Sequence, residues 1–292
     1  MRILILSDIH HRHLRAQYII DKVPHDKCIL LGDYFDGYGD SDFEAKDTAE
    51  WLRDVILPNK KIVPLIGNHD TMYFYNDNHH FRCSGYRDSK NKIINGILKE
   101  EHKVQFNWYH IDTGFLFLHA GITKPLWEKI VDGTHSEDKR ENCLELVEDV
   151  LKFHTEFNNK LAKSGKDAYL FAAGWDRGGL YPQGGINWVD WHSFAPVKNI
   201  NQIVGHTRHK VPHILVQQQG GGIFQGPITE YYRSNRNFDN PLSVNYALDT
   251  DGSHYMVIED GAVNIYDSIH HTNLKDVGSN IAIPDSEMNN LT

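Results

Sequence analysis

Leu30-Leu31-Gly32-Asp33-Tyr34-Phe35-Asp36 sets two carboxylates three residues apart at the point where an apolar strand gives out. Lys27 to Leu31 reads as a short buried strand, and Gly32 lets the backbone turn so that Asp33 points into a site instead of along a sheet. Buried acids in such a place need a cation or a base beside them. A strand followed by Gly-Asp is common by itself. Its weight here comes from four other strands that end in the same manner.

Upstream, Arg2 to Leu6 is an apolar strand broken at Ser7, and it delivers Asp8 and His10 two residues apart, on one side of an extended backbone. Arg12 to Val23 has helical spacing through Leu14, Tyr18 and Ile19 before Pro24, so the chain opens strand, helix, strand and the sheet starts parallel. Downstream, Phe43 to Leu57 is predicted helical as far as Pro58, with Ala45, Ala49, Leu52 and Ile56 on its buried face. Lys61 to Ile66 is a third strand, running into Gly67, Asn68, His69 and Asp70. Phe115 to Leu118 is a fourth, followed by His119, and Gln202 to Val204 a fifth, followed by Gly205, His206 and Thr207.

Between these strands, Thr71 to Glu101 reads as an irregular excursion over the site, Glu141 to Ala162 as the clearest helix, and Trp175 to Trp191 as a Gly- and Trp-rich loop. Two alternating runs from Val244 to Tyr266, around Asp251-Gly252 and Asp260-Gly261, predict antiparallel hairpins. We expect one domain over residues 1–271, with insertions around 71–101 and 122–200 near the site, and a polar tail over 272–292.

Composition narrows the function classes. The 292 residues are ample for a sizeable core, and a formal charge of -9 argues against a surface devoted to duplex nucleic acid or anionic lipid. Cys28, Cys83 and Cys143 are odd in number and form no CxxC pair, which points to a reducing, cytoplasmic setting. The apolar run at the N-terminus stops after Leu6, too short for a secretory segment or a membrane span. Oligomeric state has no signature here.

The five strand ends present, in order, Asp8 and His10; Asp33 and Asp36; Asn68, His69 and Asp70; His119; and His206. In open α/β folds the crevice beyond the carboxyl ends of the strands holds the ligand, so these groups can converge. Carboxylate, imidazole and amide oxygen together suit two borderline divalent ions such as manganese, iron or zinc; magnesium or calcium would take mostly oxygen, and structural zinc would take thiolates.

The blocks SDIH, GDYFD, GNHD, HAG and GHT, from Ser7 to Thr207, resemble those of the calcineurin-like metallophosphoesterase superfamily, and most of all its phosphoprotein phosphatase branch. The resemblance implies a four-layer α/β/β/α sandwich with two central mixed sheets. It implies a two-metal phosphoester hydrolase, with manganese as the expected ion and iron, zinc or magnesium as alternatives. Asp8 and His10 would hold the first ion, Asp33 would bridge to the second, and Asn68, His119 and His206 would complete the second. His69 would protonate the leaving oxygen, oriented by Asp36. Two cations about 3.5 to 4 Å apart lower the pKa of a bridging water, giving a hydroxide nucleophile. A neighbouring carboxylate keeps an imidazole protonated and fixes its tautomer.

Departures from the pattern bear on substrate. Gly37 stands where the phosphatase branch continues its second block with a phosphate-gripping Arg, and Asp70 stands where it has Glu. Arg177, in the WDRGG loop, is the candidate phosphate ligand, with stacking on Trp175 or Trp188 as its other reading; Arg208 is a second candidate. In GHTRH, His209 falls one residue too far for the GHxH ligand of other branches. His11, His13, His79, His80, His209, His213, His270 and His271 read as solvated or loop residues. The expected substrate is a phosphomonoester, with a phosphoserine or phosphothreonine protein leading; a nucleotide-directed hydrolase, acting on a dinucleoside polyphosphate, a cyclic phosphodiester or a polynucleotide end, is the alternative, and an inactive scaffold of the same fold the alternative of another class.

Overall fold

Arg2-Ile3-Leu4-Ile5-Leu6 is apolar at consecutive positions after its first residue, so an extended backbone must bury both faces. The computed structural model describes residues 1–75, 78–135, 142–234 and 240–276, and strand β1 (Arg2–Leu6) is buried in this way. Ile3 and Ile5 join Ile29, Leu31 and Leu65 in a core shared with Phe115, Phe117, Ile203 and Val216 of a second sheet. Leu4 and Leu6 pack with Ala16, Ile19, Ala45 and Leu52 on the other side.

Strands β2 (Lys27–Leu30) and β3 (Ile62–Pro64) extend β1 in parallel, with Leu6 opposite Leu30 and Leu30 opposite Pro64. On its other edge β10 (His254–Glu259) pairs antiparallel, Leu4 opposite Val257, and β11 (Ala262–Asp267) follows, giving the order β11-β10-β1-β2-β3. The second sheet consists of β4 (Tyr109–Asp112), β5 (Phe115–Leu118), β6 (Gln202–Val204), β7 (His213–Gln217), β8 (Ile223–Pro227) and β9 (Ser243–Ala247). Its order is β4-β5-β6-β9-β7-β8, with β5, β6 and β9 parallel. The first sheet is covered by helices α1 (His13–Lys22) and α2 (Asp42–Trp51), the second by α6 (Lys124–His135) and α7 (Leu144–Lys163). The result is the four-layer α/β/β/α sandwich with two central mixed sheets.

Local chemistry explains several boundaries. Ser41 and Glu44 form a reciprocal capping box at the start of α2. The predicted extension of that helix to Leu57 is present as a π-helical turn over Leu52–Ile56, closed by Leu57 N–H donating to Leu52 O at 3.0 Å. The predicted start of the long helix at Glu141 lies outside the described residues, as does the tail beyond Asp276. Of that tail, the stretch from Thr272 to Asp276 lies against the body: Asn273 bridges to Tyr266, and Leu274 is buried.

Two expectations are corrected. Asp260-Gly261, both residues at positive φ, does close the β10–β11 hairpin, but Asp251-Gly252 closes none. It carries the chain from β9 in one sheet to β10 in the other. The two turns have the same local chemistry, and strand pairing far away in sequence decides between them. The 71–101 segment is also more regular than expected, holding the end of α3 (Asn68–Phe74), then α4 (Asp88–Ile97) and α5 (Glu100–Lys103). The buried face of α4 is Lys90 and Ile94, so a charged residue interrupts the apolar period that would have revealed the helix. A short helix α8 (Ile228–Arg233) follows β8. Among the described residues no helix is long and apolar enough to cross a membrane.

Candidate metal centre

The parallel strands β1, β2, β3, β5 and β6 deliver their carboxyl ends to one place, and the loops that leave them turn at once. Asp8, His10, Asp33, Asp36 and His206 all have φ between 42° and 66°, a left-handed conformation that Asp and His adopt more readily than most side chains but still at a cost. Two glycines make room for this crowding. A Cβ on Gly32, at φ +96°, would lie 2.8 Å from Gly67 Cα, and one on Gly205 would collide with the Asp8 carboxylate.

These loops assemble two donor sets. Asp8, His10 and Asp33 each offer a ligand atom within 4.8 Å of the others, and Asp33, His119 and His206 do the same. Asp33 belongs to both. Its Oδ2 lies 3.4 Å from His119 Nε2 and 3.7 Å from His10 Nε2. Asn68 Oδ1 lies 2.9 Å from His119 Nε2 and 2.9 Å from His206 Nδ1, so the amide joins the second set. Ligands at right angles about a cation, each about 2.1 Å from it, stand about 3 Å apart. The oxygen and nitrogen donors therefore fit divalent ions in both type and spacing.

The electrostatics agree with that fit. Burial, reinforced by Asp249 and Asp33, raises Asp8 well above the usual carboxylate range. Burial would raise Asp33 too, but the imidazoles of His119, His69 and His10 hold it below that range. Burial works against protonation of His119, yet Asp33 and Asp8 push it up to about 9. Asp249, buried on the crossover between the sheets, adds a further carboxylate that sequence reasoning missed. Nothing in its local sequence signals it.

Beside the donor sets, His69 Nδ1 stands 3.1 Å from Asp36 Oδ2, and its backbone N–H donates to Asp33 Oδ1 at 2.9 Å. Burial opposes protonation of His69, but Asp33 and Asp36 raise its pKa well above the ordinary value. Asp36 Oδ1 accepts from Tyr73 OH at 2.8 Å and is ion-paired with Lys90. His11, expected to be solvated, is buried instead: its Nδ1 lies 2.9 Å from Thr48 Oγ1 and its Nε2 2.9 Å from Asp40 Oδ2. His11 sits at a positive φ, and no periodicity in the sequence marks its burial. His213 is likewise no loop residue, since it opens β7 and stacks on His209 with ring centroids 3.8 Å apart.

Each of the two candidate phosphate ligands is already engaged by a carboxylate. Arg177 is committed to Asp190, with Nε 2.7 Å from Oδ2 and a second bond from the other guanidinium branch, and its side chain remains 40% exposed. Its charge reaches the second donor set: burial and His119 push His206 well below the usual imidazole range, and Arg177 adds to that shift. Arg208 is 68% exposed and ion-paired with Asp251, which Arg12 also contacts.

Asp70 has a structural task. Its Oδ2 accepts from Gly67 N and Asp33 N, and its Oδ1 from Tyr34 N, each at 2.8 Å, tying the second strand-end loop to the third. Burial, with Asp33 nearby, raises its pKa to about 7. Asp70→Ala leaves these buried donors unpaired at about 1–3 kcal/mol each, so a loss of at least about 3 kcal/mol in stability is expected from chemical denaturation. Asp70→Asn, which keeps one acceptor oxygen, is expected to cost less.

A family model described as calcineurin-like phosphoesterase matches residues 1–212. Among solved structures, a cold-active protein-tyrosine phosphatase of a psychrophile Shewanella sp. superposes with a TM-score of 0.54 at 15% identity, covering 93% of this chain and 79% of that one. A second structure titled as a cold-active protein tyrosine phosphatase gives 0.52 at 14% identity, covering 93% and 77%. These likenesses concern the fold. No curated protein sequence matches the chain significantly.

Proposed function

Because the chain belongs to the calcineurin-like phosphoesterase family, whose members are metal-dependent phosphoester hydrolases, we propose that it is a phosphomonoesterase with a dinuclear centre. The observation that carries this reading is the place of Asp33 in both donor sets, next to the His69–Asp36 pair. Asp8 and His10 would hold one ion, Asn68, His119 and His206 the other, and Asp33 both. Manganese suits the mixed oxygen and nitrogen donors, with iron, zinc or magnesium as substitutes. Two such ions supply an activated water for in-line attack and neutralise the phosphoryl oxygens.

The chain's own groups do the rest. With Nδ1 held by Asp36, His69 carries its transferable proton on Nε2 and delivers it to the departing alkoxide. Asp33 Oδ1 fixes the His69 backbone, so the proton donor and the donor sets keep one relative geometry. Arg177, already oriented by Asp190, offers its exposed edge to a phosphoryl oxygen. The leading substrate is a phosphoserine or phosphothreonine protein. A nucleotide is the second reading, favoured by Trp175, 65% exposed and two residues before Arg177, which offers a face for a base. The free cysteines Cys28, Cys83 and Cys143 support a cytoplasmic setting.

With manganese supplied, p-nitrophenyl phosphate is expected to be hydrolysed faster than its bis ester, and phosphopeptides faster than nucleotides or dinucleoside polyphosphates. Preference for the bis ester would overturn the monoesterase reading; preference for nucleotides would move the assignment to the second reading.

A further inference from the structure

Lys90 is fully buried, and a buried ammonium is costly unless its charge is met. It is met by two carboxylates: Nζ is paired with Asp36 Oδ1 and lies 2.8 Å from Asp40 Oδ2. His11, Asp36 and Asp40 form a donor cluster of the kind that could hold a metal ion, and the Lys90 ammonium supplies the positive charge there. Asp40 in turn faces His11 Nε2 at 2.9 Å and Arg87 at 3.3 Å, while the Tyr73 ring lies 6.0 Å from Nζ. A second contact comes from the same segment. A Cβ on Gly85, at φ +92°, would lie 2.8 Å from Asp36 Cγ, so this backbone lies directly against the carboxylate.

We propose that Lys90 is a positioning residue for proton donation by His69, acting through Asp36. Lys90 and Tyr73 take Oδ1, and the Gly85 backbone lies against the carboxylate on its Oδ2 side, which leaves Oδ2 facing His69 Nδ1. Without the ammonium, Oδ1 keeps only the Tyr73 hydroxyl among the described residues, the carboxylate is freer to turn, and the imidazole loses its fixed orientation. The inference rests on His69 being the proton donor and adds to it the residue that holds the pair in register.

The test compares phenyl phosphate, whose leaving group needs a proton, with p-nitrophenyl phosphate, whose leaving group departs more readily without one. In the manganese-loaded enzyme, Lys90→Met is expected to lower kcat on phenyl phosphate about 10²-fold with KM unchanged, and to lower it much less on p-nitrophenyl phosphate. His69→Asn, measured in parallel, should show the same discrimination, and the double variant should be no worse than His69→Asn. Equal losses on both esters, or no loss, would overturn the role of Lys90. If His69→Asn itself treats the esters alike, the proton-donor reading fails and takes the inference with it. Should Lys90→Met fail to fold, the charge-balanced Lys90→Met/Asp40→Asn variant is read by the same criteria.

Discussion

Asparagine in place of Asp33 is expected to reduce kcat/KM on p-nitrophenyl phosphate by about 10³-fold or more, because it removes the one charge that both donor sets share. The substitution is chosen to spare the fold. An amide oxygen can still accept from the His69 backbone N–H, now 2.9 Å from Asp33 Oδ1, and the side chain keeps its size. What disappears is the negative charge lying 3.4 Å from His119 Nε2 and 3.7 Å from His10 Nε2. The variant is expected to bind less manganese than the parent at equal free metal. An Asp33→Asn enzyme that retains both activity and metal would show that the carboxylate does not bridge.

Replacing His69 by asparagine should lower kcat on phenyl phosphate about 10²- to 10⁴-fold, the range expected for loss of general acid catalysis. Unlike Asp33→Asn, it should leave metal binding intact, since His69 belongs to neither donor set. The separation between the two variants is the informative part. Loss of bound metal in His69→Asn would place the imidazole among the ligands; unchanged turnover on poor leaving groups would remove it from the chemistry.

The strand ends were readable because each pairs an apolar run with an abrupt polar residue. Arg2 to Leu6, Phe115 to Leu118 and Gln202 to Val204 appear in the structure with those limits. The donor sets follow from parallel strands that bring their carboxyl ends together. What lay beyond reach depends on contacts across the fold. Lys90 sits in α4 where a helix would ordinarily show an apolar residue, and its meaning is set by Asp36 and Asp40, some fifty positions earlier. Asp70 resembles any turn residue until Asp33, Tyr34 and Gly67 are seen to donate to it. Arg177 matched a phosphate ligand by position, while its bond to Asp190 could be seen only once the loop was folded.

The most direct test is anomalous diffraction from crystals grown with manganese. Two peaks are expected, one beside Asp8 and His10 and the other beside Asn68, His119 and His206, with Asp33 reaching both. A single peak, or peaks at another acid and histidine cluster such as Asp176, Asp190 and His192, would contradict the shared centre.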